Sequence, residues 1–160
     1  MICNVLAAAA RSLVLALVAF GVATTAWPAE VPGNVFGDPF LEVTAAIKDC
    51  PAQQPSTFTE GQMRTEAHSR AERGTRCFQS GQCRLPSSYD YDKEIVPRVK
   101  KAILSDGRFA DTSIWVEGQR RWVWLKGCVR TRADAAALEK LVREIDDVER
   151  VINELVVKPR

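Results

Sequence analysis

The chain has 160 residues, with 22 basic side chains against 20 acidic ones and 46% hydrophobic residues. A formal charge of only +2 leaves no basic surplus for neutralising a phosphate backbone, which argues against a dedicated nucleic-acid binder. The length suits one modest domain with a decorated end.

Residues 1–26 carry one basic residue, Arg11, then an apolar run from Ser12 to Ala23, then Thr24-Thr25-Ala26. Charge, apolar run and small-residue exit in that order predict a secretory signal peptide cleaved after Ala26. The run is short for a membrane span, which needs about 20 apolar residues. Cys3 precedes it, which is not the position of a lipoprotein's acylated cysteine. The expected location is therefore periplasmic or secreted.

Residues 27–88 read as an N-terminal extension. WPAEVPGNVFG, with two prolines and two glycines, is an extended lead-in. Asp38-Pro39 resembles a helix start, with Phe40, Val43 and Ile47 on one face and Cys50-Pro51 as its end. After a PAQQPS loop, Thr59 to Gln62 fits a capping box opening a second helix, expected to stop at Gly74. Its apolar stripe of Met63, Ala67 and Ala71 is thin and needs a neighbour.

Beyond the leader there are four cysteines: Cys50, Cys77, Cys83 and Cys128. In an exported chain they are expected as disulfides, and four allow three pairings. The polar FQSGQ turn favours Cys77 with Cys83, which leaves Cys50 for Cys128; the other pairings stay open.

Residues 89–160 change in pattern. Ile95, Val99, Ala102 and Ile103 mark a helix capped near Asp92, with Pro97 expected to shift its start or kink its first turns. TSIWVEG and RRWVWLKGCV alternate and form a hairpin about a Gly118-Gln119 turn. Thr131 to Asp134 caps a further helix bearing Leu138, Leu141, Val142 and Ile145, and VERVINELVV reads as a closing strand. Two helices would pack on the Val123, Leu125 and Val129 face of a three-stranded sheet, with Gly127 admitting a helix closely. The opposite face, with Trp115, Trp122, Trp124 and Cys128, would expose a large apolar patch unless the N-terminal helices cover it, and that cover is the expectation.

The run V-x-L-x-G-x-V at Val123, Leu125, Gly127 and Val129, with V-x-x-V-x-N-x-L-x-V from Val148 to Val157, resembles the BON domain, a small bacterial envelope module. The resemblance covers Tyr89 to Val157, about half of the chain beyond the leader. Members usually have glycine where Asp147 stands and lack the extra tryptophans. The resemblance implies an αββαβ fold of the α+β class and no catalysis. It also implies a role in envelope integrity or stress through phospholipid or envelope proteins, and it supplies no catalytic residues.

The chemistry of individual residues agrees with a binding role. His68 is the only histidine, and H-x8-C-x5-C with Cys77 and Cys83 matches no usual zinc spacing, so no metal or cofactor is expected. Bridged cysteines are not nucleophiles. Arg98, Lys100 and Lys101 on the first BON-like helix, Arg108 beyond it, and Arg120 and Arg121 at the hairpin turn form a candidate site for an anionic headgroup. Each well-placed cation there is worth about 1 kcal/mol. Acidic residues gather on and just after the second helix, at Asp134, Glu139, Glu144, Asp146 and Asp147. The expected partner is anionic phospholipid, by peripheral association, or an envelope protein. The competing expectation is a chaperone-like module docking a protein client by its sheet edge or tryptophan face.

Overall fold

Hydrophobic alternation and two capping boxes place most of the chain in one sheet with helices on its apolar side. The computed structural model describes residues 30, 31 and 33–160. The expected signal segment and its cleavage site after Ala26 lie outside these residues. In chain order the elements are β1 (Glu30–Val31), β2 (Phe40–Ala45), β3 (Phe58–Thr59), α1 (Glu60–Gln79), α2 (Ser88–Asp106), β4 (Ser113–Gln119), β5 (Trp122–Val129), α3 (Arg132–Arg143) and β6 (Arg150–Val157). β1 and β3 form a small separate ladder.

The main sheet has four strands in the order β2-β4-β5-β6, not three. β4 and β5 form the expected antiparallel hairpin, and β6 lies parallel to β5 after the α3 crossover. The fourth strand is β2, where the sequence pattern suggested a helix. Phe40, Leu41, Glu42, Thr44 and Ala45 pair antiparallel with β4. Alternation decides it: Leu41 and Val43 pack against the core, while Glu42 lies opposite Trp115 on the second face. Apolar residues at Phe40, Val43 and Ile47 imitate a helical stripe, but β-branched Val43-Thr44 suits a pleated surface better. The extension therefore carries three strands, two of them only two residues long, and one helix, not two helices.

The core lies between the sheet and α2 with α3. Ile95, Val96, Val99 and Ile103 from α2 and Leu138 and Val142 from α3 meet Ile114, Val116, Val123 and Leu125. α3 begins as its capping box dictates, with Thr131 and Asp134 each accepting from the other's backbone N–H. α2 starts earlier than Asp92, at Ser88, and runs through Pro97. Pro97 is exposed, so water can serve the carbonyl that its ring leaves without a donor. Gly118 is not in the turn; a Cβ there would come within 2.6 Å of Val96 and 3.3 Å of Asp92, so its absence lets α2 approach. Gly127 has a different reason. Its φ is +112°, and a Cβ would meet the Ser113 carbonyl of β4 at 2.2 Å, so it serves the strand pairing rather than a helix.

The tryptophan face is covered from within the chain, mostly by a loop rather than by helices. Glu117 and Lys126 form an ion pair of 2.6 Å there, both nearly inaccessible. Ser56 donates its N–H and hydroxyl to Glu117, and Lys126 donates to the Gln54 carbonyl and the Ser56 hydroxyl oxygen. Trp115 is buried and Trp122 and Trp124 are half-buried. A disulfide joins Cys50 to Cys128 and pins the loop to β5, while a second joins Cys77 to Cys83. Through that local link α1 continues past Gly74, where the sequence suggested a stop, to Gln79.

The two disulfides close loops of very different length, with separations of 78 and 6 residues. Denaturant unfolding should show the Cys50→Ala/Cys128→Ala chain destabilised by about 4–5 kcal/mol and the Cys77→Ala/Cys83→Ala chain by about 2 kcal/mol, as loop-closure entropy requires. Equal losses would contradict that ranking.

Candidate functional site

The hairpin turn between β4 and β5 organises the charged end of the molecule. Arg120 and Arg121 occupy it with φ of +56° and +70°, a left-handed pair that a two-residue hairpin requires and that Asn-Gly ordinarily fills. Arginine there is strained by about 1–2 kcal/mol per residue. Asp92, buried on α2, accepts the backbone N–H of both, that of Arg121 at 2.8 Å. Burial is the largest influence on this carboxyl and pushes it up to about 6, although the two backbone donors oppose the shift.

The turn sends its two side chains in different directions. Arg120 goes into the protein and is 1% exposed. Burial first, then the charge of Arg70, pushes its guanidinium down to about 9. Arg121 turns toward the end of α1. Its Nε donates to the Asp147 carbonyl at 2.9 Å, and Nη1 reaches Cys77 Sγ at 3.0 Å and Cys83 Sγ at 2.7 Å.

Arg121 borders an open cleft of about 460 Å³, whose charged lining is Glu72, Arg73, Arg76, Arg121 and Glu149. The Arg73 guanidinium carbon lies over Trp122, 4.0 Å from the ring centroid, and that of Arg150 approaches the same ring at 5.0 Å. Burial lowers the Arg73 guanidinium from its ordinary value, against the pull of Glu66. Its Nε and Nη2 have no hydrogen-bond acceptor among the described residues. Both nitrogens are buried, and Nη2 lies 3.9 Å from a Glu66 carboxylate oxygen.

The six basic residues singled out by sequence do not share one patch. Arg98 and Lys101 border a shallow depression with Glu144 and Asp146. Arg98 also bonds Asp147 at 2.8 Å. Lys100 is half-buried on α2, and Arg108 bonds Asp106 beside it. Arg120 is internal, which leaves Arg121 as the one of the six in the open cleft. Arg76 was missed because α1 was expected to end at Gly74, and Arg73, at the expected end of that helix, because cations were sought only in residues 89–160. The available signal was arginine recurring at 70, 73 and 76, a spacing that keeps neighbours close on a helix.

Asp147 adopts a left-handed conformation, φ +71°, at the position where glycine is usual. Burial opposes its ionisation, but the hydrogen bonds and charges of Arg98 and Arg84 outweigh this and hold the carboxyl below its ordinary value. His68 lies on the exposed side of α1 against Glu72, and Cys77 and Cys83 are engaged in their disulfide. Among the described residues no group of three His, Cys, Asp or Glu side chains could hold a metal ion. No described helix is long and apolar enough to cross a membrane.

The family model of the BON domain matches residues 91–159, the part from α2 to the end of β6. No curated protein and no solved structure matches the chain.

Two carboxylates give testable outcomes. The folded protein holds the Asp92 proton more tightly than the unfolded chain, so this group's stability contribution is full below about pH 4 and falls as pH rises through about 6. The loss is on the order of 3 kcal/mol. Denaturant titrations of the parent and Asp92→Asn should show the parent's advantage shrinking across that window; an advantage that grows with pH would contradict it. Asp147→Ala keeps the left-handed strain and loses the ion pairs, whereas Asp147→Gly sheds the strain. The alanine variant should be less stable than the glycine variant by about 1 kcal/mol in the same assay.

Proposed function

Taking residues 91–159 as a BON domain, we propose that the protein is a non-enzymatic envelope module that engages anionic phospholipid headgroups through the cleft beside Arg121. BON domains are non-catalytic binding domains, and two disulfides in the described chain suit an oxidising compartment. One observation carries the reading: Arg73, Arg76 and Arg121 converge on a single open cleft at whose edge Trp122 lies half-buried. Guanidiniums on an aromatic ring favour a phosphate that is planted at a surface, and each adds about 1 kcal/mol near an anionic leaflet. Association is peripheral and salt-sensitive.

A protein client is the second reading, and the fold narrows it. The tryptophan face is taken up by residues 46–57, so the outer edges of β2 and β6, the latter with exposed Val156, are the surfaces left for strand addition.

Flotation of the oxidised protein, without residues 1–26, on anionic and zwitterionic liposomes at low and physiological salt tests the proposal. Binding should be confined to anionic liposomes and weakened by salt. Arg76→Gln should weaken it about fivefold, while Arg132→Gln, of equal charge change at the start of α3, should not. No flotation at either salt, or equal loss in both variants, would overturn the cleft as the headgroup site.

A further inference from the structure

On the other side of the hairpin turn is a second, smaller cavity of about 150 Å³. It lies between α1 and the first turn of α2, and Arg70, Ser87, Ser88, Tyr89 and Arg120 contribute to its wall. Two of these residues are the largest fully buried side chains of the molecule, Arg70 at 0% and Arg120 at 1% exposure. Arg70 is neutralised: Asp38 accepts from its Nη1 at 2.6 and 2.7 Å, and Glu66 from its Nε at 2.6 Å. Its Nη2 has no acceptor among the described residues.

Arg120 differs. None of its three guanidinium nitrogens has an acceptor among the described residues, and its side chain has no carboxylate in ion-pair contact there. Asp38 and Glu66 act on it only through space, since both carboxylates are bonded to Arg70, and Asp92 is spent on the backbone N–H groups of the turn. A guanidinium sealed from water without an anion is the costliest arrangement a buried charge can adopt.

The α2 end adds a second source of positive potential. The first N–H groups of a helix have no acceptor within it. Here the N-cap Ser87 makes no side-chain capping bond, so its hydroxyl is not used for that purpose. The macrodipole of a 19-residue helix therefore ends at the same cavity as two arginines.

We propose that this cavity is a binding site for a phosphate group, held by Arg120, Arg70 Nη2, the Ser87 hydroxyl and the N-terminus of α2. Tyr89 closes it. Its ring covers the Arg120 guanidinium and is 42% exposed, so admitting the anion requires the ring to turn outward. The cavity is too small for a nucleotide or an acyl chain and admits a phosphate alone or the tip of a phosphomonoester. The site is separate from the Arg121 cleft and stands whether or not that cleft meets a membrane.

Isothermal titration of the oxidised protein with inorganic phosphate tests the site. One phosphate should bind per chain. Arg120→Gln should weaken binding at least about tenfold, and Arg132→Gln should leave it unchanged. Ser87→Asp guards against a misfolded Arg120 variant. Aspartate is a favoured N-cap that keeps α2 intact, and its carboxylate occupies the cavity mouth. It should raise the thermal midpoint without phosphate and abolish the phosphate-induced rise seen in the parent.

Vesicles of phosphatidic acid identify the source. Displacement of the protein from them by phosphate, lost in Ser87→Asp, assigns the site to a lipid phosphomonoester. Vesicle binding unaffected by Ser87→Asp assigns it to free phosphate. Absence of phosphate binding, or equal affinity in the parent, Arg120→Gln and Ser87→Asp, would overturn the proposal.

Discussion

One buried carboxylate sets the geometry of the charged end. Asp92 accepts both N–H groups of a turn whose residues, Arg120 and Arg121, sit in a backbone region that arginine avoids. The carboxylate reaches the turn because Gly118 has no side chain to hold α2 away from β4. From this arrangement two adjacent arginines diverge, one into the cavity at the start of α2 and one to the disulfide at the end of α1. A single dipeptide thereby puts one guanidinium at the small cavity beside α2 and the other at the open cleft beside α1. The strain in the turn is offset by hydrogen bonds to the charged form of an acid, which are among the stronger ones proteins make.

The N-terminal extension is part of the domain rather than an appendage. β2 completes an edge of the sheet, and residues 46–57 cover the second face with polar atoms matched to a buried Glu117–Lys126 pair. A lysine among tryptophans looks out of place on a strand read alone. It belongs there because its cover is a loop carrying carbonyl and hydroxyl acceptors. Replacing those polar loop groups with apolar ones would leave the buried pair short of the hydrogen bonds that offset its desolvation.

Features with local signals were legible in the sequence. The capping boxes at Thr59 and Thr131, the alternation of β4 and β5, the α3 stripe and the favoured cysteine pairing all stand in the structure. The features that were not legible depend on distant partners. Asp38 resembles a helix cap before Pro39, yet its carboxylate binds Arg70, 32 residues away. β2 is a strand because β4 offers it an edge, which no window around Phe40 reveals. Arg120 and Arg121 read as one exposed patch because adjacent charges in a turn usually are; the left-handed pair that separates them lacks the Asn-Gly signature. Arg76 was hidden by Gly74, whose helix-breaking tendency of about 1 kcal/mol is outweighed by the tertiary contacts of α1.

Amide hydrogen exchange by NMR, read at Arg120 and Arg121, tests the role of Asp92 most directly. Turn amides are ordinarily exposed and exchange quickly. Here both should be strongly protected in the parent above about pH 7, where Asp92 is ionised, and should lose that protection in Asp92→Ala while the amides of β4 and β5 keep theirs. Rapid exchange of both amides in the parent, or protection unchanged by the substitution, would contradict the account.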